Sequence, residues 1–356
     1  MAAKSPQSLH EVAASGRSVL ITGCAGFIGS ALVRQWLAET DWRLIGVDNF
    51  GYAGLRASIA PLLDHPRFAL QVADICDGPA LQALFAREQP DAVVHLAAES
   101  HVDRSLSGPA AFIQTNLVGT AMLLEATRAH LDQLPATRRE AFRFLHVSTD
   151  EVFGALGPTG HFSEATPYAP NSPYSATKAG ADHLVRAWHR SYGLPTLTTH
   201  SPNNYGPRQL PEKLIPRVIR NALRGEPLPV YGDGGNVRDW LHVDDHARAL
   251  RAVLERGRVG DSYCVGGGTE LSNLVLVQQL CALLDARRPG SAPHASLIRF
   301  VTDRAGHDWR YAIDGSKLER ELGWRAQLPF AQGLAETVDW YLDNAEWMQA
   351  AERALA

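Results

Sequence analysis

Two short segments of this 356-residue chain carry residues that could do acid–base and redox chemistry. Thr149, Asp150 and Glu151 place two adjacent carboxyl groups beside a hydroxyl, and Tyr174 and Lys178 follow at the i, i+4 spacing of one helix face. A phenol beside an ammonium suits proton removal during hydride transfer. A carboxylate beside a carboxylic acid suits elimination of water, because close like charges raise one of the two pKa values. The combination predicts an enzyme that oxidises a sugar, removes water from it and returns the hydride.

The oxidation requires a tyrosine that is a stronger base than usual. Lowering the pKa of a phenol from about 10 to about 7 requires roughly 4 kcal/mol of preferential stabilisation of the phenolate. We expect the Lys178 ammonium and a positive nicotinamide ring to lower the pKa of Tyr174 in this way. The alternative is an ordinary surface helix face, since the spacing of the pair is common.

The two carboxyl groups can serve one substrate only if their strand ends beside them, because successive strand residues point to opposite faces. Residues 152–154, Val-Phe-Gly, are expected to supply that break. The alternative is a pair of solvated acids in a loop. A position at the carboxyl end of a predicted strand favours the catalytic interpretation.

A glycine-rich segment predicts a dinucleotide site. Gly23, Gly26 and Gly29 lie between a predicted strand and a predicted helix, where glycines let the backbone approach a pyrophosphate at the helix N-terminus. Asp48 ends the second strand, where its carboxylate can bind ribose hydroxyls and repel the extra phosphate of NADP. We therefore expect NAD; the alternative is a strand–helix turn that binds no nucleotide. Further predicted cofactor residues are Phe27, Ile28, Asn49, Asp74, Ile75, Leu96, Ala97 and Ala98.

The composition excludes several classes of function. Hydrophobic residues make up 45% and charged residues 20% of the chain, as in ordinary globular proteins. The net charge of -4 offers no basic field for nucleic acid or acidic membranes. No run reaches the roughly 18 apolar residues of a membrane span. Residues 1–17 lack the apolar core of a signal peptide, so we expect a disordered extension there and a cytoplasmic protein.

No metal site is predicted. The four cysteines lie far apart and have no C-x-x-C spacing. His242 and His246 are four residues apart, but Asp244 is expected to cap a helix between them, which places His242 on the preceding strand.

The alternation of short apolar runs with helical periods predicts an α/β fold, a Rossmann-like doubly wound parallel sheet with a smaller C-terminal substrate-binding lobe. The predicted strands are 18–21, 43–47, 68–72, 92–97, 142–148 and 197–200. The predicted helices are 27–38, 79–87, 110–129, 175–192, 214–223, 244–254, 271–284 and 328–342. Prolines and a turn after residue 201 mark a change of pattern. We expect 18–200, with 240–268 returning to it, to bind NAD, and 201–239 with 269–345 to bind a nucleotide-sugar.

Several segments in order resemble the extended short-chain dehydrogenase/reductase superfamily. Within it they resemble the nucleotide-sugar 4,6-dehydratases, most closely the dTDP-glucose branch. The resemblance extends from about residue 18 to about residue 341. The segments that carry it are 95–105, 148–152, 173–178, 203–207, 211–216, 238–245 and 303–307.

The resemblance implies a role for each residue of the two opening segments. Tyr174 is the oxidation base, and Lys178 supports it and holds the nicotinamide ribose. Asp150 is the general acid and Glu151 the general base of elimination, while Thr149 binds the carbon-4 oxygen. The implied reaction ends with hydride return to carbon 6, which gives a 4-keto-6-deoxy sugar nucleotide and regenerates bound NAD.

The resemblance also implies binding residues and a partner. Thr115 and Asn204 match cofactor contacts, and the outer faces of the helices predicted at 110–129 and 175–192 imply a homodimer formed through a helix bundle. Arg238 suits a diphosphate because its planar fork matches phosphate oxygens, although an ion pair with Asp239 is the alternative. The implied substrate residues are Ser100, Thr149, Asn203, Lys213, Leu214, Tyr231, Arg238, Asn273 and His307.

Three other functions stay open at this stage. A UDP-sugar 4,6-dehydratase would use the same machinery on another nucleobase. A nucleotide-sugar 4-epimerase shares the fold, NAD and the Tyr–Lys pair but does not need Asp150 and Glu151. A non-catalytic NAD-binding regulator would typically lack the Tyr–Lys pair, which this chain keeps.

Overall fold

The computed structural model describes residues 16–303 and 306–355. Most of the predicted 1–17 extension and two residues of the 303–307 segment therefore lie outside the described residues. The strands are β1 (Ser18–Thr22), β2 (Arg43–Asp48), β3 (Phe68–Val72), β4 (Ala92–His95), β5 (Arg143–Thr149), β6 (Thr196–Ser201), β7 (Asn203–Tyr205), β8 (Leu228–Tyr231), β9 (Val237–His242), β10 (Ser262–Cys264), β11 (Glu270–Ser272) and β12 (Ile298–Val301). Seven of them form one sheet in the order β10-β6-β5-β4-β1-β2-β3, and every pair in it is parallel.

Helices connect the strands and account for most of the remaining chain. The α-helices are α1 (Phe27–Glu39), α2 (Arg56–Ile59), α3 (Gly78–Glu88), α4 (Val102–Ser107), α5 (Pro109–Phe112), α6 (Thr120–Gln133), α7 (Ala136–Ala141), α8 (Pro173–Tyr192), α9 (Leu214–Arg224), α10 (Val243–Arg256), α11 (Asn273–Arg287), α12 (Ser316–Leu322), α13 (Phe330–Asp343) and α14 (Ala345–Leu355). Short 3₁₀ helices cover Ala60–Leu62, Asp150–Phe153 and His294–Leu297, and a π-helix covers Ile113–Gly119.

Helices cover both faces of the large sheet, as predicted for a doubly wound fold. In β1, Val19 and Ile21 join one apolar cluster, which includes residues of α1 and α10. Leu20, between them, joins a second cluster with residues of α3, α6 and α8. Strands buried on both faces in this way form the continuous apolar runs seen in the sequence. The predicted fold class is confirmed.

The helix predicted at 110–129 is not one regular α-helix. It consists of α5, the π-helix Ile113–Gly119 and α6. Asn116, in the wider turn, places its buried side chain against the loop that follows β4. Its Oδ1 accepts a hydrogen bond from the Glu99 amide, and its Nδ2 donates to the Glu99 carbonyl and to Thr177 Oγ1. These bonds tie the loop to α8, and they explain a helical irregularity that the periodicity did not show.

The remaining strands form two small sheets, one in the order β11-β9-β7 and one that pairs β12 with β8. The chain forms β7, β8 and β9 before it returns to add β10 to the edge of the large sheet beside β6. The boundaries of the two predicted lobes stay a prediction. The predicted helix cap was wrong, because His242 caps α10 by accepting the Asp244 amide on its ring, and Asp244 lies in the first turn.

Candidate active site between the sheet edge and helix α8

The carboxyl pair lies where β5 ends. Thr149 is the last strand residue, and Asp150 and Glu151 begin the 3₁₀ helix that Gly154 terminates with a φ of 87°. The strand ends beside the two acids as expected, but the break comes at Thr149, three residues before the 152–154 segment that was expected to supply it. Thr149 Oγ1 accepts the Glu151 amide at 3.3 Å and donates to Asp150 Oδ1 at 3.4 Å. Only 1% of Asp150 is exposed, and its Oδ2 has no hydrogen-bond partner among the described residues.

The Tyr–Lys pair lies on α8, which packs against β5. Ser172 starts this helix with a capping box, and Pro173 occupies its first turn, where it costs no hydrogen bond. Tyr174 and Lys178 are both buried. Lys178 Nζ donates to the Val147 carbonyl at 2.9 Å, which fixes the ammonium beneath the strand end that carries the acids.

The surroundings of the carboxyl pair favour a proton on Asp150. Burial, followed by the nearby charges of Glu151 and Asp239, raises the pKa of Asp150 well above its ordinary value. This shift favours the protonated form of Asp150. Glu151 lies beside it as the more exposed partner, suited to act as the base.

The expectation that Lys178 lowers the pKa of the phenol does not hold in the chain alone. Burial and then the Glu151 carboxylate raise the pKa of Tyr174, although a hydrogen bond from Thr149 opposes this. Burial also lowers the pKa of Lys178, to about 8. Within the chain, the surroundings therefore keep the phenol protonated until further positive charge is brought near it.

A cradle for a dinucleotide lies next to these groups. Gly23 has a φ of 71°, and a Cβ there would lie 2.7 Å from the Ala97 amide nitrogen. A Cβ at Gly29 would lie 2.1 Å from the Gly23 carbonyl oxygen, so the loop can close tightly only with glycine. Asp48 accepts the amides of Ala25 and Phe50, one on each carboxylate oxygen. Each oxygen keeps a second lone pair for a ligand hydroxyl.

One cavity joins this cradle to the acids and the Tyr–Lys pair. The predicted residues that line it are Gly23, Gly26, Phe27, Ile28, Gly29, Asp48, Asn49, Ile75, Leu96, Ala97, Ala98, Ser100, Thr115, Thr149, Asp150, Glu151, Tyr174, Lys178, Asn203, Asn204 and Lys213. Asp74 is not among the lining residues of either described cavity. Its carboxylate accepts hydrogen bonds from the Asn49 side chain and the Cys76 amide.

A second cavity opens from the first. The two share Ser100, Glu151, Asn203, Glu212 and Lys213. The other predicted substrate residues line this second cavity: Leu214, Tyr231, Arg238, Asn273 and His307. Glu151 lines both cavities. A ligand that occupied both would therefore pass Glu151 with its end nearest the glycine cradle.

Arg238 is held in the wall of the second cavity by backbone and aromatic contacts. Its guanidinium donates to the carbonyls of Val237 and Asp308 and lies 4.4 Å from the ring centroid of Tyr311. The Asp239 carboxylate accepts the amides of Gly267 and Thr269.

Several lining residues were not predicted. The most informative are Arg217 and Arg220, which add cations to the second cavity beside Lys213. Their spacing of four and seven residues from Lys213, which precedes α9 directly, could have identified them. Glu212 lies beside the predicted Lys213 in the 211–216 segment, whereas Tyr52 comes from a distant loop that had no comparable signal.

The described residues contain no group of three or more His, Cys, Asp or Glu side chains arranged to hold a metal ion. Within the same residues, no helix combines the length and apolar character needed to cross a membrane.

Comparisons with known proteins agree with this geometry. Residues 20–337 match the family model described as GDP-mannose 4,6 dehydratase. The chain is 58% identical to the dTDP-glucose 4,6-dehydratase of Xanthomonas campestris pv. campestris (strain ATCC 33913), over 93% of this chain and 94% of that protein.

Solved structures show the same relationship. DesIV, the dTDP-glucose 4,6-dehydratase of Streptomyces venezuelae with NAD and TYD bound, is 46% identical with a TM-score of 0.86, covering 94% of this chain and 99% of that one. The dTDP-glucose 4,6-dehydratase of Bacillus anthracis in complex with NAD is 41% identical with a TM-score of 0.84, covering 94% and 100%. This chain belongs to the dTDP-glucose 4,6-dehydratase family.

Proposed function

We propose that this protein is an NAD-dependent hydro-lyase that converts dTDP-glucose to dTDP-4-keto-6-deoxyglucose. The reaction comprises oxidation at carbon 4, elimination of water across carbons 5 and 6, and return of the hydride to carbon 6. The single observation that carries the proposal is the convergence of Asp150, Glu151, Tyr174 and Lys178 in one cavity beside the glycine cradle. The identity to curated dehydratases over nearly the whole chain supports it.

The residues present fit NAD. Gly23 and Gly29 close a tight loop whose backbone could approach a pyrophosphate, and Asp48, which lines the same cavity, would bind the ribose hydroxyls. Lys178, in the same cavity, would hold the nicotinamide ribose. When bound, NAD supplies the acceptor and donor of the hydride, and its positive ring supplies the charge that the phenol lacks in the chain alone.

Each proton transfer of the reaction is assigned to a different side chain of the site. Tyr174 takes the proton of the carbon-4 hydroxyl, with the Thr149 hydroxyl bound to the same oxygen. Oxidation at carbon 4 acidifies the proton on carbon 5, which the Glu151 carboxylate removes. Asp150, whose protonated form is favoured by burial and the Glu151 charge, gives its proton to the leaving carbon-6 hydroxyl.

The second cavity supports binding of the nucleoside diphosphate. Lys213, Arg217 and Arg238 line it, and guanidinium groups suit phosphate oxygens. Tyr231 and His307 are 6.2 Å apart between ring centroids and offer aromatic surface for a base.

Incubation with dTDP-glucose tests the proposed function. The 4-keto product absorbs in alkali, and mass spectrometry measures the loss of one water. Absence of both signals with every dTDP-, UDP- and GDP-hexose, with NAD present, would refute a dehydratase function. An epimerised hexose without water loss would favour the 4-epimerase, which needs no acid pair.

We also propose a homodimer formed through helices α5, α6 and α8. Leu106, Ile113, Val118 and Tyr192 are large apolar or aromatic side chains exposed in or near these helices. Light scattering at micromolar concentration should give twice the chain mass, and a monomer alone would contradict this arrangement.

A further inference from the structure

A buried polar cluster lies under the site and has no part in the proton transfers described above. Its centre is Asp182 on α8, of which only 4% is exposed. Tyr174, Lys178 and Asp182 follow one another at four-residue intervals, so they form a stripe on one helix face. The stripe faces β5, because Lys178 donates to the Val147 carbonyl of that strand.

The Asp182 carboxylate accepts four hydrogen bonds from three other segments. His146 and Ser148 of β5 contact it at 3.0 and 2.9 Å, and His200 of β6 contacts it at 3.0 Å. Tyr168, in the segment before α8, donates to it at 2.9 Å. Such a fully bonded carboxylate stays ionised although it is buried, and the bonds from His146 and His200 hold the pKa of Asp182 below its ordinary value in spite of the burial.

Among the described residues, the carboxyl groups near Lys178 are Asp182 on its own helix and Asp150 and Glu151 at the end of β5, which line the same cavity. The nearby histidines and the tyrosine carry no negative charge. His95 of β4 and His146 of β5 stack at 5.3 Å, and burial lowers the pKa of both, to about 4 for His146, so both rings are neutral at pH 7. Tyr174, on the same helix, is protonated in the chain alone. Burial lowers the pKa of Lys178, and Asp182 is the carboxylate that opposes this effect.

We propose that Asp182 is a positioning residue for the oxidation step: its buried carboxylate, one helical turn from Lys178 and bonded to both neighbours of Val147, keeps the Lys178 ammonium charged and fixes α8 on β5 and β6. Lys178 can support the Tyr174 phenolate only while it is charged. Loss of the Asp182 charge therefore removes the support for oxidation without altering any group that touches substrate. This inference rests on the proposed function for its catalytic consequence, but the charge of Lys178 can be measured without turnover.

The chain has only four lysines, at positions 4, 178, 213 and 317, which makes a direct titration practical. Lysine labelled with ¹³C at Cε gives one signal for each, and Lys178→Arg assigns the signal of interest. In the wild type we expect a midpoint near 8. In Asp182→Asn, which keeps the shape but not the charge, we expect the midpoint to fall by about one unit or more. Tyr168→Phe removes one hydrogen bond to Asp182 but keeps the Asp182 charge, so the Lys178 midpoint should stay unchanged.

The same three proteins are then tested for NADH formation in a single turnover at different pH values. Lys178 must be protonated, so the rate falls as pH rises through its pKa. That fall should occur at lower pH in Asp182→Asn than in wild type or Tyr168→Phe. A purely structural role of Asp182 would lower the rate at every pH without moving the fall.

Equal Lys178 midpoints in wild type and Asp182→Asn would overturn the inference. So would a neutral Lys178 at pH 7 in the wild type, which can be measured even if Asp182→Asn does not fold. Failure of the wild type to dehydrate any nucleotide hexose would refute the proposed function alone, because the lysine titration would still decide the role of Asp182.

Discussion

Replacing Glu151 by glutamine should separate oxidation from elimination. The variant keeps the size of the side chain and loses the carboxylate that removes the carbon-5 proton. Burial is the largest cause that raises the pKa of Asp150, so removal of the Glu151 charge should leave the acid form of Asp150 favoured. The Glu151 charge also raises the pKa of Tyr174, so its removal should not slow the first proton transfer. The expected result is bound NADH and a 4-keto hexose that does not lose water.

The size of the effect follows from the role assigned to Glu151. A positioned general base contributes a factor of about 10² to 10⁴. Turnover should therefore fall by that factor, which corresponds to roughly 3 to 5 kcal/mol of lost transition-state stabilisation. NADH formation in the first turnover should be at least as fast as in the wild type.

Stopped-flow absorbance of NADH measures the first step, and mass spectrometry of the quenched mixture measures water loss. Glu164→Gln is a suitable control, since Glu164 accepts the Cys264 amide and is not among the residues lining either cavity. Normal dehydration by Glu151→Gln would show that the base has been misassigned. Slow NADH formation with no bound 4-keto hexose would contradict the argued effect of Glu151 on Tyr174.

Three further changes test other parts of the site. Tyr174→Phe should abolish NADH formation and all turnover, as absorbance will show, while calorimetry should show that NAD still binds. Turnover close to that of the wild type would show that Tyr174 is not the base of the oxidation. Gly29→Ala places a Cβ 2.1 Å from the Gly23 carbonyl oxygen and should cost roughly 1 to 3 kcal/mol in urea unfolding and weaken NAD binding. Gly157→Ala is its control, with no atom within 4 Å of the added Cβ. Asn116→Ala removes the three hydrogen bonds of a buried side chain and should lower the free energy of unfolding by roughly 3 kcal/mol. A loss below about 1 kcal/mol would show that the bonds to Glu99 and Thr177 are dispensable.

Short sequence patterns predicted those parts of the site whose backbone conformation depends on neighbouring residues alone. The glycine loop and the Asp48 strand end each depend on a few neighbouring residues, and the structure has them where the sequence predicted. The end of β5 lies near the acids as expected, although it comes at Thr149 and not at 152–154. Periodicity likewise predicted α8, because its buried stripe and its proline at the start are both visible in the sequence.

Features that depend on distant partners were not predicted. The π-helix at Ile113–Gly119 forms where Asn116 binds a loop 17 residues earlier, and no periodicity reports such a bond. His242 is the helix cap in place of the expected Asp244, because the His242 ring accepts the Asp244 amide and Asp244 itself lies in the first helical turn. The raised pKa of Tyr174 reflects burial and the Glu151 charge, which become visible only when α8 and the end of β5 are placed together.

The late return of β10 has a consequence for how the protein can be made and divided. Until residues 262–264 pair with 198–200, one side of β6 presents free amides and carbonyls onto which another chain can add. During translation, that side of β6 stays unpaired while the roughly sixty residues between β6 and β10 are synthesised. A fragment designed to end at residue 201 keeps it permanently, so it should aggregate unless the missing strand is supplied in trans or the exposed border is blocked with charged residues.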